Sequence, residues 1–181
     1  MKSLLFLSFL LVFTTSASCS NPSNLSSTSE KDGIEWISFD ELQKKMETEP
    51  RKVIIDVYTN WCGPCKRMEI MTFQNAVISN YVNKKYYAIK FNAEDKKTIN
   101  FRGGTFKHVA GGRNGINELT QLLIHNNAFP TIVFMNENLD VIQKFNYLVP
   151  QDMEMIMKFI GEEEFKKQPW EDYTKSFKSE L

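Results

Sequence analysis

Cysteine is scarce in this chain, with three residues among 181. The framework of several disulfides that holds small secreted domains together cannot be built from so few. Histidine is scarcer still, with two residues. Structural zinc takes four ligands, and His108 and His125 lie far from Cys62 and Cys65, at spacings unlike a zinc finger. No metal and no other cofactor is expected. Neither sign of charge is in excess, since Lys+Arg and Asp+Glu both total 22. That balance removes the electrostatic case for nucleic acid or an anionic surface as a partner. Long hydrophobic runs are missing too. The longest, Leu4 to Phe13 broken only by Ser8, is about half the ~20 residues of a membrane-spanning helix. No internal repeat is visible. A hydrophobic fraction of 42% with 13% aromatics still suffices for one packed domain with tails.

The N-terminus has the layout of an export signal: Lys2, the short apolar run, then Thr14-Thr15-Ser16-Ala17-Ser18-Cys19. Ser16-Ala17-Ser18-Cys19 resembles a bacterial lipobox, whose cysteine is lipidated and becomes the mature N-terminus. Ser16 departs from the leucine usual there. Ordinary cleavage after Ala17 or Ser18 is the alternative. Residues 1–19 are thus expected to be a signal peptide of lipoprotein type. The Ser- and Asn-rich residues 20–33 read as a flexible tether. The expected location is the periplasm, with membrane attachment solely through Cys19. Outside the cytoplasm thiols tend to oxidise. The mature chain has no cysteine pair except Cys62 and Cys65, so a disulfide there reads as working chemistry rather than a staple.

That pair lies in Trp61-Cys62-Gly63-Pro64-Cys65-Lys66, between the apolar run Val53–Tyr58, read as a buried strand, and a helical stretch. A helix start leaves N–H groups unpaired and favours negative charge. A cysteine there ionises below its ordinary pKa of ~8.5, and the thiolate is the form that attacks disulfides. Residues i and i+3 of a helix have Cβ atoms roughly 5–6 Å apart, within reach of a disulfide. Cys62 reads as the outer thiol and Cys65 as one turn in. Pro64 suits the first turn, where its missing N–H costs nothing, and Gly63 permits a partner backbone to come close.

Further elements follow from pattern. Ile34–Ile37 reads as a short strand. Ser38 and Glu41 form a capping box for a helix running to about Glu49, before Pro50. Lys52–Tyr58, Tyr86–Asn92, Thr131–Met135 and Val141–Phe145 read as strands, with a turn at Glu137-Asn138. Asn75 caps a helix Ala76–Asn83. Gly103-Gly104 suggests a hairpin between Ile99–Arg102 and Thr105–Val109. Asn114 is expected to cap a helix Gly115–His125 with Ile116, Leu119, Leu122 and Leu123 on one face. Pro150 opens a helix with Met153, Ile156, Met157 and Ile160 on one face, which Gly161 stops. Phe165, Trp170, Tyr173 and Phe177 point to a C-terminal helical extension, 162–181, docked on the domain.

The motif around Cys62 resembles the active site of thioredoxin-like proteins, and the layout is similar to exported thioredoxin-like lipoproteins of bacteria. The resemblance covers roughly Ile34 to Gly161. It implies an α/β domain of thioredoxin-like fold, with a central mixed sheet flanked by helices on both faces. Asp56, six residues before Cys62, corresponds to the family's buried aspartate, and Lys90 to the lysine facing it. Phe129-Pro130-Thr131 resembles the loop whose proline is cis and lies against the cysteines. The stretch from Lys90 to Pro130 is longer than in minimal thioredoxins by roughly twenty residues, which places an insertion at about 94–115. Phe129 replaces a smaller aliphatic residue, and Tyr58 stands where Trp is common.

The resemblance implies a thiol–disulfide oxidoreductase, with Cys62 as nucleophile and Cys65 as resolving cysteine. Asp56 would accept the Cys65 proton through water, with Lys90 opposing the desolvation of Asp56. The alternative places Asp56 at an exposed strand edge. Phe129 and Pro130 would hold an extended substrate segment, with Trp61, Gly63 and Pro64 forming the rim; Trp61 as a core aromatic and Pro130 as an ordinary loop proline are the alternatives. The Gly-Pro pair resembles reducing members of the family, so substrates are protein disulfides and an electron-donating thiol relay is implied. A monomer is expected. A redox-responsive protein-binding module, or a Cu(I) chaperone using the thiolates with Met68 and Met71, are the other classes; both methionines read better as helix core.

Overall fold

The computed structural model describes residues 33–112, 114–124 and 128–181. The expected signal segment, Cys19, the tether up to residue 32 and His125 lie outside the described residues.

A near-continuous apolar run makes a strand that is buried on both faces. Strand β1 (Lys52–Tyr58), broken by Asp56, is such a strand and sits inside a four-stranded sheet. It pairs in parallel with β2 (Tyr86–Asn92) and antiparallel with β7 (Thr131–Met135), which carries β8 (Val141–Phe145) on its other side. The sheet is therefore mixed. Alternation along each strand sorts side chains to two faces. Val53, Ile55 and Val57 join Ile89, Phe91 and Val133 in a core beneath α1 (Phe39–Thr48) and α4 (Glu118–Leu123). Ile54 joins Ala88, Ile132 and Phe134 in a second core. This one is covered by α2 (Gly63–Met68), α3 (Ala76–Lys85) and α5 (Pro150–Gly161). Asp56 and Lys90 share the face of this second core, two residues beyond Ile54 and Ala88.

Caps delimit the helices as the side chains dictate. Ser38 Oγ accepts the Glu41 N–H, and the Glu41 carboxylate accepts the Ser38 N–H. Asn75 Oδ1 accepts the Val77 and Ile78 N–H groups. Between α2 and α3 the chain makes one π-helical turn, Glu69–Phe73. The last residues return to the domain through α6 (Trp170–Ser176), whose Trp170 and Tyr173 rings pack on Phe159. Fully buried Glu154 holds the tail by accepting from Lys158 Nζ, Ser179 Oγ and the Glu180 N–H.

Four expectations about elements are corrected. Ile34–Ile37 is not a strand: a single parallel bridge joins Trp36 to Ala88, because Asn83 takes the Glu35 N–H and bonds the Gly33 carbonyl. The hairpin of β3 (Ile99–Phe101) and β4 (Gly104–Phe106) turns at Arg102-Gly103, both at positive φ, one residue earlier than Gly103-Gly104. The helix expected from Gly115 begins at Glu118. Gly115 has φ +71, outside the right-handed helix region, and Ile116-Asn117 forms β6, paired with β5 (His108–Val109). Asn117, not Asn114, is its cap, Leu122 is exposed rather than on the buried face, and α4 ends at Leu123. Gly161 is the last residue of α5 rather than a left-handed stop; that conformation falls on Glu163. A Cβ at Gly161 would come within 2.7 Å of Tyr81 Oη, so the glycine answers to packing.

Candidate active site

The carboxyl end of β1 delivers the cysteine motif to the start of α2. Cys62 is the N-cap: its N–H donates to the Thr59 carbonyl at 3.2 Å, and its carbonyl accepts from Lys66 N–H at 3.3 Å. Its sulfur accepts the Cys65 N–H at 3.1 Å, so a helix-start donor is aimed at the very atom that would carry charge in a thiolate. Cys62 and Cys65 are joined in a disulfide with a Cα separation of 5.3 Å. Pro64 lies in the first turn, and a Cβ at Gly63 would meet nothing within 4 Å. Cys62 stands at the helix end and Cys65 one turn in, and both residues are buried, 3% and 7% exposed.

Asp56 sits deep in the sheet, 3% exposed, so the strand-edge alternative is excluded. Burial pushes its carboxyl up from the ordinary 3.8 to about 7; Lys90 opposes this and Glu69 adds to it. A cavity of about 360 Å³ has Asp56, Thr59, Cys65, Glu69 and Lys90 on its wall. Asp56 Oδ1 and Thr59 Oγ1 have no hydrogen-bond partner in the protein among the described residues. The site thus places a carboxyl that titrates near neutrality on the same cavity as the inner sulfur.

Lys90 is opposite Asp56 in the strand register, but its ammonium is ion-paired with Glu69 and lies over the Tyr58 and Trp36 rings. Its attraction reaches Asp56 without a direct bond. Glu69 was not anticipated. The signal was there, since it stands four residues after Cys65 on the same helical face.

Thr131 pairs with Val57, so the residues before it flank the end of β1 that carries the cysteines. The Phe129–Pro130 bond is cis. Trp61 is 59% exposed, which rules out a core aromatic, and its ring meets that of Phe129 edge to face at 5.9 Å. Its indole N–H donates to Glu94 Oε1 at 2.8 Å, and Asn114 Nδ2 donates to the same oxygen at 3.0 Å. Glu94 is a second residue not anticipated; its spacing from the cysteines carried no signal.

Metal-ligating side chains do not converge. No group of three or more His, Cys, Asp or Glu residues could hold a metal ion among the described residues. His108 Nε2 bonds the Asn114 carbonyl oxygen. Met68 lies in the core, but Met71 is exposed, contrary to its expected place in the helix core.

Comparison with known proteins adds to this geometry. A family model described as Thioredox_DsbH, protein of unknown function, DUF255, matches residues 19–180. No curated protein matches the chain. The chain is similar to a thioredoxin-fold protein from Helicobacter pylori, with a TM-score of 0.55 at 20% identity, covering 82% of this chain and 89% of that one. It is also similar to a candidate disulphide-isomerase from Bacteroides thetaiotaomicron, with a TM-score of 0.50 at 23% identity, covering 71% of this chain and 94% of that one. These likenesses establish a thioredoxin-like fold.

Proposed function

This chain belongs to the Thioredox_DsbH family, and from that premise we propose that it is a thiol–disulfide oxidoreductase that reduces disulfides in exported proteins. One observation carries the reading. A disulfide closes the first turn of a helix, with an N–H donor on Cys62 Sγ and a near-neutral carboxyl sharing a cavity with Cys65.

In the reduced enzyme the Cys62 thiolate attacks one sulfur of the substrate disulfide. The substrate S–S bond breaks, one substrate sulfur leaves as thiolate, and a mixed disulfide forms. Asp56 then takes the Cys65 proton, relayed by water through the shared cavity. The Cys65 thiolate attacks Cys62 Sγ, the mixed disulfide breaks, and the second substrate sulfur leaves. Two electrons pass to the substrate, and the enzyme is left in the disulfide form. A donor dithiol, a membrane thiol relay in an oxidising compartment, restores the dithiol by the reverse steps. Asp56 suits this work because a base with a pKa near the working pH is available in both protonation states. The Phe129-Pro130 loop and the Trp61 rim receive the substrate chain, and the open space at Gly63 leaves room for its backbone. The protein acts as a monomer, exported and tethered to the membrane by a lipid on Cys19.

Equilibration with glutathione buffers tests the direction. A reduction potential toward thioredoxin's, about −270 mV, is expected, with insulin reduction lost in Cys62→Ser. A strongly oxidising couple, near the −120 mV or so of dedicated oxidants, overturns it.

A further inference from the structure

An ion pair between Lys90 and Glu69 lines the cavity that Asp56 shares with Cys65. Its two side chains are 28% and 29% exposed, whereas Asp56 lies beneath them in the sheet. A partly exposed pair of this kind adds little to stability. Its consequence is electrostatic and falls on Asp56, on which Lys90 and Glu69 act with opposite sign.

Lys90 has two carboxylates to choose between. It is the register partner of Asp56 on the neighbouring parallel strand, and strands paired in this way lie about 4.7–4.9 Å apart. A lysine side chain is longer than that, and both residues point to the same face of the sheet. A direct bond to Asp56 is therefore open to it. The ammonium goes to Glu69 instead and rests over the Tyr58 and Trp36 rings, at 5.4 and 5.7 Å from their centroids. Asp56 Oδ1 is left with no hydrogen-bond partner in the protein among the described residues.

The backbone fixes Glu69 for this contact. It stands where α2 gives way to the π-helical turn. Its N–H donates to the Cys65 and Lys66 carbonyls, and its carbonyl accepts the Gln74 N–H, five residues on, at 3.1 Å. Single π-helical turns are frequent at functional sites. Glu69 is thereby pinned to the helix that carries Cys65. The other titratable groups on the cavity are Tyr58 of β1 and Cys65 and Lys66 of α2; β7 sets only Ile132 against Asp56.

We propose that Glu69 is a positioning residue: its carboxylate holds the Lys90 ammonium off Asp56, and this leaves the Asp56 carboxyl free to take and return the Cys65 proton. A direct Lys90–Asp56 bond would favour the ionised carboxylate and make it a poorer base. Glu69 opposes that twice, by drawing the cation away and by its own negative charge. The proposal rests on the oxidoreductase reading and adds a residue to its proton transfer.

Titration of the Asp56 carboxyl carbon by NMR tests it in the disulfide form, in which neither cysteine titrates. Glu69→Gln keeps the shape of the side chain and removes its charge. The Asp56 midpoint is expected to fall by about one pH unit or more. In the reduced enzyme the rate of mixed-disulfide release at pH 6, relative to that at pH 8, should rise about fivefold, because a midpoint moved from about 7 to about 6 raises the ionised fraction at pH 6 by that factor. Lys90→Met separates the two routes. If Glu69 acts through Lys90, Glu69→Gln in the Lys90→Met background moves the midpoint by about half as much or less. A midpoint unmoved by Glu69→Gln, or moved equally in both backgrounds, overturns the positioning role even in a protein that reduces disulfides. A wild-type protein that reduces no disulfide, a small aromatic one such as DTNB included, overturns the oxidoreductase reading itself and the role with it.

Discussion

At the scale of the residue, Asp56 concentrates the chemistry. Its type and position were legible as a lone carboxylate in an apolar run. Lys90 was legible with it, but Glu69 was not, because the Lys90–Glu69 contact depends on how α2 passes into the π-helical turn. Spacing placed two sulfurs one turn apart, but the burial of both cysteines is a tertiary detail that spacing does not carry. The raised pKa of Asp56 has a sign that can be checked. Folding raises it from 3.8 to about 7, so the folded state holds the proton more tightly than the unfolded one. Wild-type stability is then full below about 3.8 and is lost as pH rises to about 7, by at most ~4 kcal/mol. Asp56→Asn removes that loss. Urea unfolding of the oxidised protein should show a gain for Asp56→Asn that is larger at pH 8 than at pH 4. Release of the mixed disulfide should at the same time slow by roughly tenfold or more. A gain that does not change with pH, or an unchanged release rate, contradicts the role.

Elements were readable wherever one local signal dominated. The strands Lys52–Tyr58, Tyr86–Asn92 and Thr131–Met135 occupy the expected residues, because apolar and β-branched runs leave few other ways to be buried, and Val141–Phe145 follows as the partly exposed edge strand paired with Thr131–Met135. The α1 capping box is local chemistry and formed as expected. The 94–117 segment was misread where two asparagines competed as caps. Asn114 preceded the right residue types, but its side chain goes to Glu94. Asn117 wins because it is buried and does three things at once: Oδ1 caps Leu119, and Nδ2 bonds the carbonyls of Asp95 and Lys97. Non-local partners of that sort leave no periodic trace. Asn117→Ala should therefore cost more than a surface cap, about 2–4 kcal/mol, by loss of the cap and exposure of two unsatisfied carbonyls. Amide exchange should locate the loosening in residues 93–106 and α4. A cost under about 1 kcal/mol would show that the segment is held by apolar packing alone.

For the molecule as a whole, the sheet gathers the chemistry at one end of β1, and Glu94, bonded to both Trp61 and Asn114, ties the 94–115 stretch to the same end. The expected export signal and Cys19 lie outside the described residues, and their reading rests on the N-terminal pattern. Cells fed a palmitate analogue should label the native chain and not Cys19→Ala. An unlabelled native chain contradicts the anchor. The central claim concerns the sulfurs. The measurement that meets it most directly is alkylation of the fully reduced protein by iodoacetamide as a function of pH, with each modified cysteine identified by mass spectrometry. The account predicts that Cys62 reacts first, with an apparent pKa at least about one unit below the ordinary ~8.5. Cys65 should follow slowly, and more slowly still in Asp56→Asn. A Cys62 that titrates like a free cysteine, or that reacts no faster than Cys65, contradicts it.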